Sequence, residues 1–393
     1  MSLRKTIFAA DERAEFETAP SGEMRRVLGR AASQLPAEAK LPLVSVIVTA
    51  YNYEQFVQRT LESVAAQSYG NFECIVVDDC STDGTLGEIE EFLAERRDAR
   101  FRLLHNQVNR GQLGAQIAGF RECSGTFVVF LDADDLLFRD CLETHVTAHL
   151  QCEPIPAMTC LDSATINRDG ELLSAHHREI RPRLWEWFRP RASQAAIEIS
   201  GEPVECRIIP PSVANGIVLR DQYFWTTQSF MMFRGDFLKL VLPANTDQFR
   251  VCSDYYLVCM AHAFNTTVLV HRCGGAYRVH GGNQFTHALL VSADQHSGDM
   301  RRFEWQPAEL AALAAPLIGG QFERFASVFG EICAARALVG LPRKLRPAVL
   351  GLLRQRLRLR KAVFFLAVAY ASRWVARLRG YWMTFLRIIW SGN

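Results

Sequence analysis

Phe127-Val128-Val129-Phe130-Leu131-Asp132-Ala133-Asp134-Asp135 is a run of strand-forming apolar residues that ends in three carboxylates. An apolar run of this kind reads as a strand buried on both faces. Such a strand delivers its acids to one edge of a sheet. Their mutual repulsion there has to be offset by a cation, a proton or donated hydrogen bonds. An oxygen-only cluster with no sulfur beside it suits Mg²⁺ or Mn²⁺, ions that also take up phosphate oxygens. Upstream, a second strand pattern ends the same way, Ile75-Val76-Val77-Asp78-Asp79.

Around these two strands the chain alternates strand and helix patterns from Val44 onward. Val44 to Thr49 is a β-branched apolar run, and Asn52 followed by Gln55 is a capping-box-like start for a helix to about Gln67. Phe72 to Val77 predicts the second strand, and Ser81-Thr82-Asp83-Gly84 a cap for a helix through Arg96. A strand at Phe101 to Leu104, a helix at Gln112 to Arg121 and the strand Phe127 to Leu131 complete the series. This alternation predicts an α/β fold with a doubly wound, mostly parallel sheet, whose ligands bind beyond the carboxyl ends of the strands. Both acidic clusters lie at such ends.

The flanks read differently. Residues 1–40 are polar and Pro-punctuated, an arm with one short helix around Glu23 to Ser33. Leu150 to about Arg220 is rich in Pro and Trp and shows little periodicity. A short strand at Ser229 to Phe233, a helix at Ser253 to Phe264 and a strand at Thr267 to Val270 follow, then Tyr277-Arg278-Val279-His280-Gly281-Gly282-Asn283. From Pro307 the pattern is helical to the end.

The net charge of +2 conceals an asymmetry. After Glu331 there is no acidic residue, and thirteen of the 44 Lys and Arg lie there, leaving 31 basic against 42 acidic residues before it. An acidic body with a basic tail predicts that the tail meets an anionic surface, and it argues against a nucleic-acid partner for the body. Trp374, Leu378, Trp382, Phe385 and Ile389 share a helical face opposite Arg373, Arg377 and Arg387, the pattern of a helix lying in a membrane interface. The same stripe would also suit packing against the body or a partner subunit. Eleven scattered cysteines, without a C-x-x-C pair, fit reduced thiols better than disulfides or zinc. The start of the chain lacks the apolar core of a signal peptide, and no apolar run approaches the roughly 20 residues of a membrane span. The expected location is cytoplasmic, peripheral on the inner face of the cell membrane.

With these residues in view, the chain resembles the inverting family 2 glycosyltransferases of the GT-A fold. The resemblance is carried by Val44 to Thr49 with Tyr51-Asn52, by Leu61 to Gln67, and by Val77-Asp78-Asp79-Cys80-Ser81-Thr82-Asp83-Gly84-Thr85. Asn109-Arg110-Gly111 and Leu131-Asp132-Ala133-Asp134-Asp135 extend it, and a looser match resumes at Ser229 to Arg234, Ser253-Asp254-Tyr255 and Tyr277 to His280. It implies a catalytic domain over 41–305, which leaves the polar arm over 1–40 and the basic, helical, membrane-associating region over 306–393 to the composition and pattern read above. Within the domain, 41–150 would form the nucleotide-sugar half and 151–305 the acceptor half.

The resemblance also implies roles. Tyr51 would stack on a nucleobase, and Asp79, with Asp78, would accept a base N–H, since an ionised carboxylate only accepts. Thr49, Arg110, Gly111 and Ala133 would line the nucleotide sugar, Asp132 would meet the ribose, and Arg278 would neutralise phosphate. Asp134 and His280 would hold Mn²⁺ or Mg²⁺ against the diphosphate. Asp254 would be the base that deprotonates the acceptor hydroxyl; an Asp at a helix start is equally well a cap. The implied partners are a nucleotide-diphosphate sugar donor and a saccharide or lipid-linked acceptor.

Two departures from the family pattern stand out. Ser253 occupies a position that is often acidic, and Ala115-Gln116-Ile117 replaces an Ala-Arg-Asn type of helix. The Gln-x-x-Arg-Trp motif of processive synthases is absent, its nearest echo, Tyr370 to Trp374, lacking the glutamine, so single-sugar addition is expected. A sugar nucleotidyltransferase would need a Gly-rich phosphate loop after the first strand, where this chain has Thr49-Ala50-Tyr51-Asn52. A non-catalytic sugar-nucleotide-binding subunit is the third alternative, against which stands the joint presence of Asp79, Asp134 and Asp254.

Overall fold

The structure is a computed structural model, and it describes residues 22–28, 39–176, 193–199, 201–209, 226–243, 253–281 and 283. The basic tail expected to form helices lies outside the described residues, as do most of the N-terminal arm and the Pro- and Trp-rich residues 177–192.

The first half is built from β1 (Val44–Ala50), α2 (Val57–Ala65), β2 (Phe72–Asp78), α3 (Thr85–Arg96), β3 (Phe101–His105), α4 (Gly111–Glu122) and β4 (Phe127–Asp132). These strands pair in parallel in the order β3-β2-β1-β4, as the alternation predicts. Every residue of β1 is buried, because both faces of the sheet are covered. Val44, Val46 and Val48 join one apolar cluster with Leu61 and Val64 of α2 and Ile89 of α3. Ile47 and Val77, on the opposite pleat, face α4. There Gly119 allows close approach, since a Cβ would fall 2.5 Å from Ile47 Cγ2.

Beyond β4 the sheet becomes mixed. α5 (Cys141–Gln151) follows the short β5 (Leu136–Leu137), and β6 (Met158–Ile166), β7 (Leu172–Ser174), β8 (Ser193–Ile199) and β9 (Glu202–Ile209) come next. After a 3-10 turn at Gln228–Phe230, β10 (Met231–Arg234) enters antiparallel between β4 and β6. Then come α6 (Gly235–Val241), α7 (Ser253–Phe264) and β11 (Thr267–Arg278), which runs parallel to β6. The sheet has 11 strands, with the main path β3-β2-β1-β4-β10-β6-β11-β9-β8. α1 (Gly22–Leu28) lies on α5, where Arg26 Nε donates to the buried Glu143 at 3.1 Å.

Local signals err where a side chain serves the tertiary structure. The helix expected to begin at Asn52 starts at Val57, because Asn52 has a φ of 61° and its Oδ1 accepts the Thr82 N–H at 2.8 Å. Asn52 thus braces the loop after β2 and does not cap its own helix. The helix after β2 begins as expected, with Asp83 Oδ1 accepting the Thr85 N–H at 3.0 Å. The hairpin β8–β9 and helices α5 and α6 had no legible period.

Candidate active site

β1 sits between the two acid-tipped strands, and its register places their ends side by side. Thr49 pairs with Val77 on one flank and Asp132 on the other, and Ala50 pairs with Asp78. Strands in a sheet lie about 4.8 Å apart, so the Asp78 and Asp132 backbones are separated by ~10 Å across one strand. Both acidic sets therefore border one cleft at the carboxyl edge. Backbone bonds tie them to β1, from the Asp79 N–H to Ala50 O at 2.8 Å and from the Ala133 N–H to Thr49 O at 3.2 Å. Tyr51, just past β1, has its ring exposed at the rim.

On the β2 side, Asp79 is turned into the protein. Oδ1 accepts from Asn106 Nδ2 at 2.8 Å and from the Arg110 N–H at 2.9 Å, and Oδ2 accepts from the Gly111 N–H at 2.8 Å. The Arg110 N–H also lies 3.0 Å from Oδ2, so the acceptor positions of this carboxylate are filled by the chain. Gly111, at a φ of 73°, makes the turn that aims both N–H groups at it. Asp78 is different. Its Oδ2 lies 2.8 Å from His105 Nδ1 and accepts the Ser81 N–H, whereas its buried Oδ1 meets no partner among the described residues.

On the β4 side the acids form a tight turn, with the Asp135 N–H on Asp132 O at 3.1 Å. The Thr60 hydroxyl of α2 lies 2.8 and 2.9 Å from the carbonyls of Ala133 and Asp135 and holds that turn in place. β11 supplies the other wall. Ala276 pairs antiparallel with Leu136, and two residues on, the register brings residue 278 opposite 134. Arg278 is buried, its N–H on Asp135 Oδ1 at 3.0 Å and its Nε on Asp134 O at 2.9 Å. Its Nη1 reaches Arg168 O at 3.0 Å, and its guanidinium lies over the Phe56 ring at 5.1 Å. Arg278 thus clamps backbone carbonyls around the acidic turn. His280 follows, its Nε2 3.0 Å from Asp134 Oδ2, its ring 4.8 Å from Phe56 and edge-on to Tyr53 at 6.0 Å.

The electrostatics are those of crowded acids. Burial pushes the Asp132 carboxyl up to about 7; the Asp134 charge and, more weakly, Asp254 add to this, against a hydrogen bond from Gln112. Burial, then Asp134 and Asp132, hold Asp135 well above the usual carboxylate range. Tyr53 is also raised, by burial first and then by Asp134, Asp132 and Asp135. Burial lowers Arg278, with Arg59 adding to the effect. A cation placed here would relieve this repulsion. Asp134 and His280 offer one oxygen and one nitrogen, a set acceptable to Mn²⁺ or Mg²⁺. Among the described residues no three His, Cys, Asp or Glu side chains form a metal-holding group. The pair therefore fits an ion that takes its remaining ligands from phosphate oxygens and water, not a closed protein cage.

Tyr53, Phe56, Gln112 and Gln228 carry no sequence signal of their own and are placed here by the fold, beside Ser229 of the looser match. Gln112 Nε2 donates to Asp132 Oδ1 at 3.2 Å, and Ser229 Oγ accepts the Asp132 N–H at 3.2 Å. Asp254 opens α7, and its charge is felt at Asp132.

Comparison with known proteins agrees with this arrangement. The chain is 37% identical over 109 residues to the Escherichia coli UDP-Glc:alpha-D-GlcNAc-diphosphoundecaprenol beta-1,3-glucosyltransferase WfgD, a match covering 28% of this chain and 42% of WfgD. It is 26% identical over 255 residues to the uncharacterized glycosyltransferase alr2836 of Nostoc sp. strain PCC 7120, covering 65% of this chain and 70% of the relative. The chain spans about two fifths of the length of the curated relatives it matches at 33–39% identity. Among solved structures, Staphylococcus aureus TarS 1-349 in complex with UDP-GlcNAc aligns with a TM-score of 0.45 at 18% identity, covering 85% of this chain and 92% of that one. The model of glycosyl transferase family 2 matches residues 45–203, which include all of β1 but its first residue, both acid-tipped strand ends and the loop that Asp79 holds.

Proposed function

We propose that the protein is a metal-dependent, inverting glycosyltransferase that moves one sugar from a nucleotide-diphosphate sugar to an acceptor hydroxyl. The observation that carries this reading is the placement of two acidic strand ends on either side of Thr49 and Ala50, with His280 brought onto Asp134. Tyr51 offers its exposed ring to the nucleobase, and Asp78 Oδ1 is the acceptor for a base N–H. Asp79, Arg110 and Gly111 form the braced wall behind it. Asp132 meets the ribose, and Arg278 is the counter-charge of the acidic turn.

Asp134 and His280 would hold Mn²⁺ or Mg²⁺. When bound, that ion would supply positive charge that offsets the negative charge building on the leaving diphosphate. Asp254 accepts the proton of the acceptor hydroxyl while that oxygen attacks the anomeric carbon from the face opposite the nucleotide. One carbon–oxygen bond forms as the bond to the diphosphate breaks, and the product anomer is inverted. WfgD acts by its name on a diphosphoundecaprenol-linked sugar, which supports a lipid-linked acceptor in cell-surface polysaccharide synthesis. No helix among the described residues is long and apolar enough to cross a membrane. The basic tail supports peripheral attachment to the inner face, where each basic residue gains about 1 kcal/mol near an anionic leaflet.

The test is a panel of UDP-, GDP- and dTDP-sugars with Mn²⁺ or Mg²⁺, scored for release of free nucleotide diphosphate. Asp254→Asn should bind the donor as the wild type does and lose about 10²–10⁴-fold in transfer. Transfer at the wild-type rate would remove Asp254 from the role of base.

A further inference from the structure

Gln112, on the first turn of α4, joins the two sides of the cleft. Its Nε2 donates to Asp132 Oδ1 at 3.2 Å, and its Oε1 accepts the backbone N–H of Ser253 at 3.4 Å. One turn further, the fully buried Gln116 donates from Nε2 to Gln228 Oε1 at 2.8 Å. The same oxygen accepts from Ser253 Oγ at 2.9 Å. Ser229, next to Gln228, accepts the Asp132 N–H at 3.2 Å. Four segments remote in sequence are thereby closed into one ring of hydrogen bonds: α4, the end of β4, the turn before β10 and the start of α7.

Gln228 is the point where this ring converges, and it is buried with Gln116 and Ser253. All three are neutral. Asp132, Asp134 and Asp254 already crowd the cleft with negative charge, so a charged residue at the hub would either add to the repulsion or require its own buried partner. Neutral amides and a hydroxyl supply directional bonds without that cost. Deleting the Gln228 amide would leave the Gln116 Nε2 and the Ser253 Oγ buried without their acceptor, and the first turn of α7 would lose its bridge to Gln116 while keeping the Ser253 N–H on Gln112 Oε1.

We infer that Gln228, with Gln116 and Ser253, is a positioning hub that fixes the start of α7, and hence Asp254, against Asp132. This rests on the reading of Asp254 as the base. None of the three touches the reacting atoms, so the hub acts on the separation of donor and base. A displacement of about 1 Å there can cost on the order of 10²-fold in rate. Gln116 and Ser253, two of the positions at which the chain departs from the family pattern, both meet on Gln228.

The experiment uses the full chain and whichever sugar nucleotide the wild type turns over fastest. Ser253→Ala and Gln228→Leu should lower kcat by about 10–100-fold while the donor KM changes less than about twofold. Ser253→Thr keeps the hydroxyl and should retain at least about a third of the wild-type kcat. Amide hydrogen exchange over 253–258 should speed up by about tenfold in Ser253→Ala and Gln228→Leu, with β1 unchanged. Unchanged kcat, a loss explained by KM, or Ser253→Thr as slow as Ser253→Ala would overturn the hub. Should Gln228→Leu fail to fold, the Ala and Thr variants of Ser253 decide alone. A wild type that releases no nucleotide diphosphate from any donor refutes the glycosyltransferase reading instead. Exchange over 253–258 then still decides the hub, and unaltered protection in the variants overturns it.

Discussion

Asp134 and His280 are 146 residues apart in the chain, yet His280 Nε2 stands 3.0 Å from Asp134 Oδ2. The contact is made by strand geometry. β5 and β11 pair antiparallel just after the acidic turn, Arg278 locks onto Asp134 O, and His280 arrives two residues later. Phe56 and Tyr53 pack its ring on two sides, so the imidazole is oriented before any ligand arrives. A pair held this way would lose little entropy on binding an ion.

Removing the carboxylate should therefore remove function while leaving the fold. Asp134→Ala is expected to cut nucleotide diphosphate release by at least about 10²–10³-fold, the scale of losing a charge-stabilising group. His280→Ala should weaken Mn²⁺ binding by a smaller factor. Isothermal titration with MnCl₂ in the presence of the nucleotide diphosphate, alongside the turnover assay, measures both.

Asp79 predicts a different outcome, because its carboxylate spends its acceptors on Asn106, Arg110 and Gly111. Asp79→Ala should cost about 2–4 kcal/mol of stability, since buried N–H groups lose a charged acceptor. Urea unfolding would register this as a lower midpoint at an unchanged m-value. A variant as stable as the wild type, but unable to bind a sugar nucleotide, would instead return Asp79 to the role of reading the base.

Acid should destabilise the domain through α5. Burial pushes His149 down to about 3, and it holds His145 well below the ordinary histidine value, so both are neutral in the fold. In the unfolded chain each takes up a proton near pH 6.5. Below that value the unfolded state binds more protons. The stability from neutral burial is therefore fully present above about pH 6.5 and is lost as pH falls toward the folded values. Each histidine contributes a slope approaching 1.4 kcal/mol per pH unit. Urea midpoints measured between pH 7 and pH 5 should show this slope, and His149→Gln should reduce it by about half. A flat wild-type profile would refute the assignment.

For the basic tail, truncation after Pro342 is expected to shift the protein from the membrane to the soluble fraction, and 0.5 M salt should partly mimic the truncation. Unchanged fractionation on sucrose flotation would leave the apolar stripe to intramolecular or subunit packing.

The sheet's first half was legible because its physics is local. Val44 to Ala50 is apolar apart from Ser45 and Thr49, and Phe127 to Leu131 is apolar at every position, which is the pattern of a strand covered on both faces, and β4 then ends in Asp132. The alternation of helices then forces parallel pairing. Legibility failed where a residue answers to a distant partner. Asn52 has the type and position of a helix cap, yet it braces Thr82. Asp79 has the type of a ligand acceptor, yet it holds a loop. Helix α5 and the β8–β9 hairpin gave no clean period. α5 carries polar residues such as Glu143, His145 and His149 at buried positions, where Arg26 pairs with Glu143, Thr159 with His145 Nδ1 and the Met232 carbonyl with His149 Nε2.

By itself, then, the sequence determined the parallel α/β half, the two acidic strand ends and the resemblance to a family. Those follow from periodicity and from residue types at strand termini, which neighbours in the chain suffice to specify. Only the tertiary structure decided that the Asp79 carboxylate is taken up by the backbone of residues 110 and 111, and how Gln112, Gln228 and Ser253 tie the start of α7 to the end of β4. A hydrogen bond's partner is set by the position of both groups in space. Between Asp132 and Ser253 that position is fixed by the antiparallel entry of β10 and the packing of α7, which no local stretch of residues encodes.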